Sequence, residues 1–214
     1  MERHATLTKI FGAVCIASGA FYLAAEIIVI CFCAAPHNAL YMHTISELGI
    51  PVGAAGGFSP LYKLMNSALI ISGILYIPCY TVCYARFENR AVGIICRLLA
   101  VLTGIGVITV GIVHGDNPNL YGIHGIGAGI CFFCGNLLAV LTGLFYKNEG
   151  FGGFAIAALS LGATGLTGTL LTYFFVGSAF DSFVGFTERL AVYSIIVWLV
   201  LTGVYTVTHT RARQ

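Results

Sequence analysis

Long apolar stretches alternate with short polar segments along this chain of 214 residues. An α-helix needs about 20 mostly apolar residues to cross the hydrocarbon core of a bilayer. Six stretches meet that requirement, and we predict membrane-spanning helices over residues 10–35, 64–85, 91–113, 125–146, 152–178 and 190–208. The pattern therefore predicts an all-α integral membrane protein, with residues 1–214 forming a single six-helix bundle.

The composition agrees with this pattern. Hydrophobic residues make up 58% of the chain and charged residues 8%, whereas about a quarter of the residues in a soluble domain are charged. Too few polar groups are present to cover a water-exposed surface, so we expect membrane lipid to surround the protein. The net charge of +2 gives no reason to expect a nucleic-acid partner.

The basic residues predict an orientation. With six spans, the two termini and the second and fourth connections share one face of the membrane. Eight of the ten Lys and Arg residues lie on or near that face, and Lys63 and Arg189 lie on the other. Lys and Arg accumulate on the cytoplasmic side of membrane proteins. We therefore expect a multi-pass protein of the cell membrane with both termini in the cytoplasm.

Two further segments have a recognisable pattern. Residues 36–60 form a long connection on the outer face, and Thr44-Ile-Ser-Glu47 within it fits a capping box that Gly49 and Pro51 would end after about one turn. Helices four and five are rich in glycine, and small residues at helical spacing let helix backbones approach closely. We expect these glycines to pack the bundle, and they would also suit a homodimer.

Polar and ionisable residues are concentrated at the outer ends of the helices and in the outer connections. We take as candidate site residues Ser46, Glu47, Asn66, His114, Asp116, His124, Glu188 and Arg189. A short connection joins helix three to helix four, so His114, Asp116 and His124 are expected to converge. Imidazole and carboxylate groups bind divalent metals such as zinc, and they also serve as general acids and bases. The alternative is that these groups cap helices and pair with one another.

Two polar residues lie deeper in the predicted spans. Glu26 and Asn136 both fall near the middle of the bilayer, where a charged carboxylate costs at least ~2.5 kcal/mol. Glu26 must therefore face the bundle and either find a partner or stay protonated. A hydrogen bond between Glu26 and Asn136 is the structural interpretation, and a proton relay or polar ligand cavity is the functional one.

Several short motifs occur together in this order: Ile45-Ser-Glu-Leu-Gly49, Ser59-Pro-Leu-Tyr-x-x-Met-Asn66, Gly111-x-x-His-Gly-Asp116, His124-Gly and Glu188-Arg-Leu-Ala-x-Tyr193. Through them the chain resembles a family of six-helix prokaryotic membrane proteins catalogued as domain of unknown function 998. The resemblance implies a six-helix fold with a polar cluster on its outer face, and it implies no established activity.

A weaker likeness is to the intramembrane hydrolases that include alkaline ceramidases, in which Ser, Asp and His residues surround zinc. This chain is predicted to have one span fewer, and it lacks that group's His-x-x-x-His pair on the last helix.

Three functional hypotheses follow. The leading one is an outer-face pocket that binds a lipid or amphipathic small molecule. If the protein is an enzyme, we expect a hydrolase in which His114, Asp116, His124 and Glu47 are catalytic. Ser46, Asn66, Glu188 and Arg189, with Glu26 and Asn136 below them, would then contact the substrate. The alternatives are a proton-coupled transporter using Glu26 and Asn136, and a non-catalytic membrane subunit that stabilises a partner.

Overall fold

Six long helices dominate the computed structural model, which describes residues 2–54, 57–83, 89–115, 119–146 and 152–209. The helices are α1 (Glu2–Phe32), α2 (Tyr62–Cys83), α3 (Arg90–Ile112), α4 (Tyr121–Tyr146), α5 (Gly152–Phe175) and α6 (Val184–His209). All six are long and apolar enough to cross a membrane. Within the described ranges there is no β-strand, and Pro51 and Ser59 form an isolated bridge. The chain is a multi-pass helical membrane protein, and the prediction of six long apolar helices is confirmed.

Most predicted helix boundaries differ from the observed ones by one to eight residues, and two of the differences have a local explanation. The sixth helix begins at Val184 rather than at residue 190. The hydropathy pattern places its start after the charged pair Glu188-Arg189, and this pair in fact lies inside the helix. Thr187 also lies inside this helix, and its hydroxyl donates to the carbonyl of Val184. The fifth helix ends at Phe175, two residues before Gly177, whose φ of 70° suits the left-handed conformation common after a helix.

The helices form a closed ring in which each packs against its neighbours in sequence and α6 returns to α1. Gly12 lies against Gly203 and Glu26 lies against Arg189, so α1 and α6 run antiparallel. The start of α1 and the end of α6 therefore lie on the same face of the bundle. The opposite face carries the connection between α1 and α2, and we call it the loop face.

The α1–α2 connection is folded rather than extended. We call the described part of residues 33–61 the cap. Its Ile45, Leu48 and Phe58 side chains are buried, and its main chain is fixed by hydrogen bonds from Phe58 N to Ile50 O and from Ala34 N to Phe58 O. The cap thus has an apolar interior that continues into the bundle.

The predicted capping box within the cap is confirmed. The Thr44 hydroxyl accepts from the Glu47 N–H, and Glu47 Oε2 accepts from the Thr44 N–H at 2.7 Å. The helix that it starts is a single 3₁₀ turn, Glu47–Gly49, because Ile50 returns to an extended conformation and Pro51 follows it.

Small residues pack the other side of the ring. Gly162, Gly165 and Gly168 of α5 are buried and lie against Asn136 and Val140 of α4 and Leu190 of α6. This face of α5 is therefore occupied within one chain. A homodimer stays a prediction, and it would have to use other faces of these helices.

Candidate functional site

Arg189 joins the helices of the bundle to the cap. It lies on α6 with 4% of its surface exposed, and its Nε is 2.9 Å from Oε1 of Glu26 on α1. Its Nη1 donates to the carbonyl oxygens of three residues, at 2.7 Å, 3.3 Å and 3.0 Å for His43, Leu40 and Gly185 respectively. The guanidinium group presents several donors in one rigid plane, so a single side chain can bridge a carboxylate and a loop.

Glu26 is surrounded by groups spaced one helical turn apart. It is 1% exposed, it accepts a hydrogen bond of 3.1 Å from the Tyr193 hydroxyl, and the Tyr22 side chain is a further neighbour of its carboxyl group. Tyr22 and Glu26 are four residues apart on α1, as are Arg189 and Tyr193 on α6. Side chains at that spacing share a helix face, and this signal could have identified both tyrosines from the sequence.

The expected pair between Glu26 and Asn136 does not form. Asn136 instead donates to the main-chain carbonyls of Phe132 at 2.8 Å and Ala191 at 3.1 Å. Its amide lies directly against Gly165, so it occupies the junction of α4, α5 and α6. Glu26 has an arginine available on the neighbouring helix, and this stronger partner explains the difference.

The first residues of α6 also bind main-chain groups of the cap. Glu188, 6% exposed, accepts a hydrogen bond of 2.7 Å at Oε2 from the Ile45 N–H. Phe186 N donates to the Tyr41 carbonyl. Gly185 lies so close to the His43 main chain that a Cβ there would overlap it. The first turns of α6 therefore hold the cap through two kinds of contact. The Phe186 N–H donates to the cap, and the Glu188 carboxylate accepts from it.

Glu47 and Ser46 lie within the cap, away from this buried contact. The Glu47 carboxylate is 3.2 Å from Nδ1 of His43, and the His43 ring stacks on Phe58 with centroids 4.0 Å apart. The Ser46 hydroxyl donates to the Thr44 hydroxyl. These contacts stabilise the turn, and the Glu47 side chain stays 37% exposed.

Asn66 and His114 join the cap to α2 and α3. The Asn66 amide nitrogen donates to the Gly49 carbonyl at 2.9 Å and lies 2.9 Å from Nε2 of His114. Because an amide NH₂ group only donates, Nε2 is the acceptor, and in the neutral ring the proton is on Nδ1. This nitrogen of His114 is therefore used by Asn66.

His124 forms a hydrogen bond at the C-terminal end of α3. Its Nδ1 is 2.6 Å from the carbonyl oxygen of Val113, so Nδ1 donates and Nε2 keeps its lone pair. Asp116, the third member of the predicted metal set, lies outside the described residues. Among the residues that are described, no three His, Cys, Asp or Glu side chains are grouped closely enough to hold a metal ion.

An apolar cavity lies inside the bundle beneath the cap. It has an empty volume of about 600 Å³ including its opening, and five of the six helices line it together with Ile45 of the cap. Its walls are almost entirely aliphatic and aromatic, and its polar groups come from Tyr22, Ser72, Tyr76 and Glu188. Apolar walls with a small number of polar groups are typical of small-molecule sites.

The predicted site residues that the structure describes thus fall into five places. Glu188 lines the cavity, and Glu26 and Arg189 hold the cap above it. Asn66 joins His114 beside Gly49, while His124 contacts the end of α3 and Glu47 and Ser46 stay within the cap. Asn136 lies apart at the α4–α5–α6 junction. Sequence reasoning did not identify the cavity, because its walls consist of ordinary apolar residues from separate helices.

Comparison with protein families gives a match over residues 10–205 to the family described as "Protein of unknown function (DUF998)". This match covers most of the chain and confirms the resemblance drawn from the motifs. Comparison with curated proteins gives no match, and neither does comparison with solved structures.

Proposed function

Because the chain belongs to the DUF998 family, whose description assigns no activity, we propose a function from its geometry: it binds a lipid or other amphipathic small molecule in the cavity beneath the cap. The apolar part of the ligand occupies the cavity, and its polar head lies at the Glu188 end. The observation that carries this proposal is an apolar cavity with one buried carboxyl group at the end that the cap covers.

The dimensions of the cavity support a chain-like ligand. Glu188 and Leu199 both line it, and eleven residues of helix span about 16 Å at 1.5 Å per residue. The hydrocarbon core of a bilayer is about 30 Å thick. The residues that line the cavity are therefore distributed along the bundle over about the thickness of one leaflet.

The surrounding contacts favour binding over hydrolysis. Arg189, Asn66 and His124 each hold a main-chain carbonyl, and Glu47 caps its own turn. These groups already have structural roles, whereas ligand binding in the cavity needs no catalytic group. A transporter using Glu26 and Asn136 is less well supported, because these two side chains belong to separate junctions.

For the orientation, we propose that the loop face with its cap lies outside the cell membrane and that both termini are cytoplasmic. The segregation of Lys and Arg towards the face that carries the termini supports this arrangement.

Filling the cavity tests the function. Ala128 lines the cavity on α4, and Ala128→Phe should reduce saturable binding of radiolabelled twelve-carbon amphiphiles (dodecylamine, dodecanol and dodecanoate) by at least about tenfold, because the ring occupies the ligand's volume. The matched control is Ala163→Phe, at an exposed position of α5, which should bind like the wild type. If the wild-type protein binds none of the three saturably, the proposal fails and the membrane-subunit hypothesis replaces it.

A further inference from the structure

Glu188 is the carboxyl group that the cavity presents to a ligand. One of its oxygens, Oε2, is occupied by the Ile45 N–H. The side chain is 94% buried and lines the cavity. A buried carboxylate is costly unless it is hydrogen-bonded and paired with a cation, so its second oxygen, Oε1, is suited to a donor brought by the ligand.

The charged groups around Glu188 indicate which charge the ligand's donor group should carry. Its charged neighbours are Arg189, Glu26 and Glu47. Arg189 forms its ion pair with Glu26, and Glu47 is paired with His43. Within the described part of the chain, Glu188 therefore lacks an ion-pair partner, and it is the one charged residue among those that line the cavity.

We infer that the cavity selects a single-chain amphiphile with a cationic amine head group, which donates to Glu188 Oε1 while its alkyl chain lies along α6. The inference rests on the proposed function and specifies its ligand class. An ammonium group supplies both a donor and the missing positive charge. An alkanoate of equal length would place a second carboxylate beside Glu188, and an alcohol would supply a donor without the charge.

The walls below Glu188 suit the alkyl chain. Val192, Ile196 and Leu199 follow Glu188 on the same face of α6, and all of them line the cavity. Residues at that spacing form a continuous apolar stripe. A single chain can therefore run down α6 from a head group held at Glu188.

Three probes of equal chain length test this inference: dodecylamine, dodecanol and dodecanoate, measured on the full-length protein in nanodiscs. We expect the wild type to bind dodecylamine at least about tenfold more tightly than dodecanoate, with dodecanol between them. Glu188→Gln keeps an acceptor for the Ile45 N–H and removes the charge, so it should bring the amine-to-alkanoate ratio close to one.

Glu47→Gln is the matched control, because it removes a carboxylate of the cap that does not line the cavity, and it should change the ratio by about twofold or less. Equal or tighter binding of dodecanoate by the wild type would overturn the inference while leaving the proposed function intact. An unchanged ratio in Glu188→Gln would also overturn it. Absence of binding for all three probes would remove the proposed function itself.

Discussion

The junction of α1 and α6 with the cap and the junction of α4, α5 and α6 both contain deeply buried polar side chains, and they use them differently. At the first junction Glu26 forms an ion pair with Arg189, which in turn binds three carbonyl oxygens. At the second, Asn136 donates to two helix carbonyls and fits against Gly165.

The difference follows from what each junction must hold. The cap is irregular backbone at the end of a membrane bundle, and its carbonyls need donors that its own secondary structure does not supply. The α4–α5–α6 junction contains only helices, whose main-chain groups are already paired, so close packing suffices there. Buried charge is therefore found where non-helical backbone meets the bundle, and small residues are found where helices meet.

Replacing Arg189 should cause the largest effect. Arg189→Ala removes the guanidinium and leaves Glu26 as a buried carboxyl group without its ion-pair partner, which should lower the free energy of unfolding by about 3–5 kcal/mol. Amide hydrogen exchange across residues 40–46 should accelerate more than exchange in α4 and α5, because the cap loses its main attachment. Both can be measured on detergent-solubilised protein.

Arg189→Lys is the control for charge alone. A lysine keeps the positive charge but cannot bridge Glu26 and three carbonyls from one plane, so it should recover only part of the lost stability. Equal protection of the cap in Arg189→Ala and the wild type would show that the cap is held by its apolar interior instead.

The two junctions also differ in how far the sequence predicts them. The six spans, the capping box at Thr44 and the glycine packing of α5 follow from local pattern, because hydropathy and helical spacing act over a few residues. The ion pair of Glu26 and Arg189 joins residues separated by 163 positions, and nothing local specifies that contact. The same limitation explains why the sequence did not predict the cavity. It also explains why the predicted start of α6, residue 190, follows the pair Glu188-Arg189, which is buried inside the helix.

A methyl group added at Gly165 should destabilise the α4–α5–α6 junction without affecting the junction at the cap. Gly165→Ala places a Cβ against the Asn136 amide, and overpacking of this kind should cost about 1–3 kcal/mol in thermal unfolding. The matched control is Gly153→Ala on the same helix, where a Cβ has open space, and that change should be neutral or stabilising because alanine favours helix. Hydrogen exchange in the cap should be unchanged in both variants. Faster exchange in the cap of Gly165→Ala would show that the junctions are coupled.

The smallest effect is expected inside the cap, at Glu47. Glu47→Ala removes the carboxylate that accepts from the Thr44 N–H, and loss of a cap of this kind should cost about 0.5–2 kcal/mol. Glu47→Gln keeps an acceptor at the same position and should recover most of that stability. Neither change should reduce dodecylamine binding in proportion, since Glu47 is partly exposed and does not line the cavity. Thermal unfolding and dodecylamine affinity, measured on the same preparations, check both statements. If Glu47→Gln weakened dodecylamine binding as strongly as Glu188→Gln, the ligand's head group would lie in the cap, and Glu47 would again be a candidate site residue, as the sequence suggested.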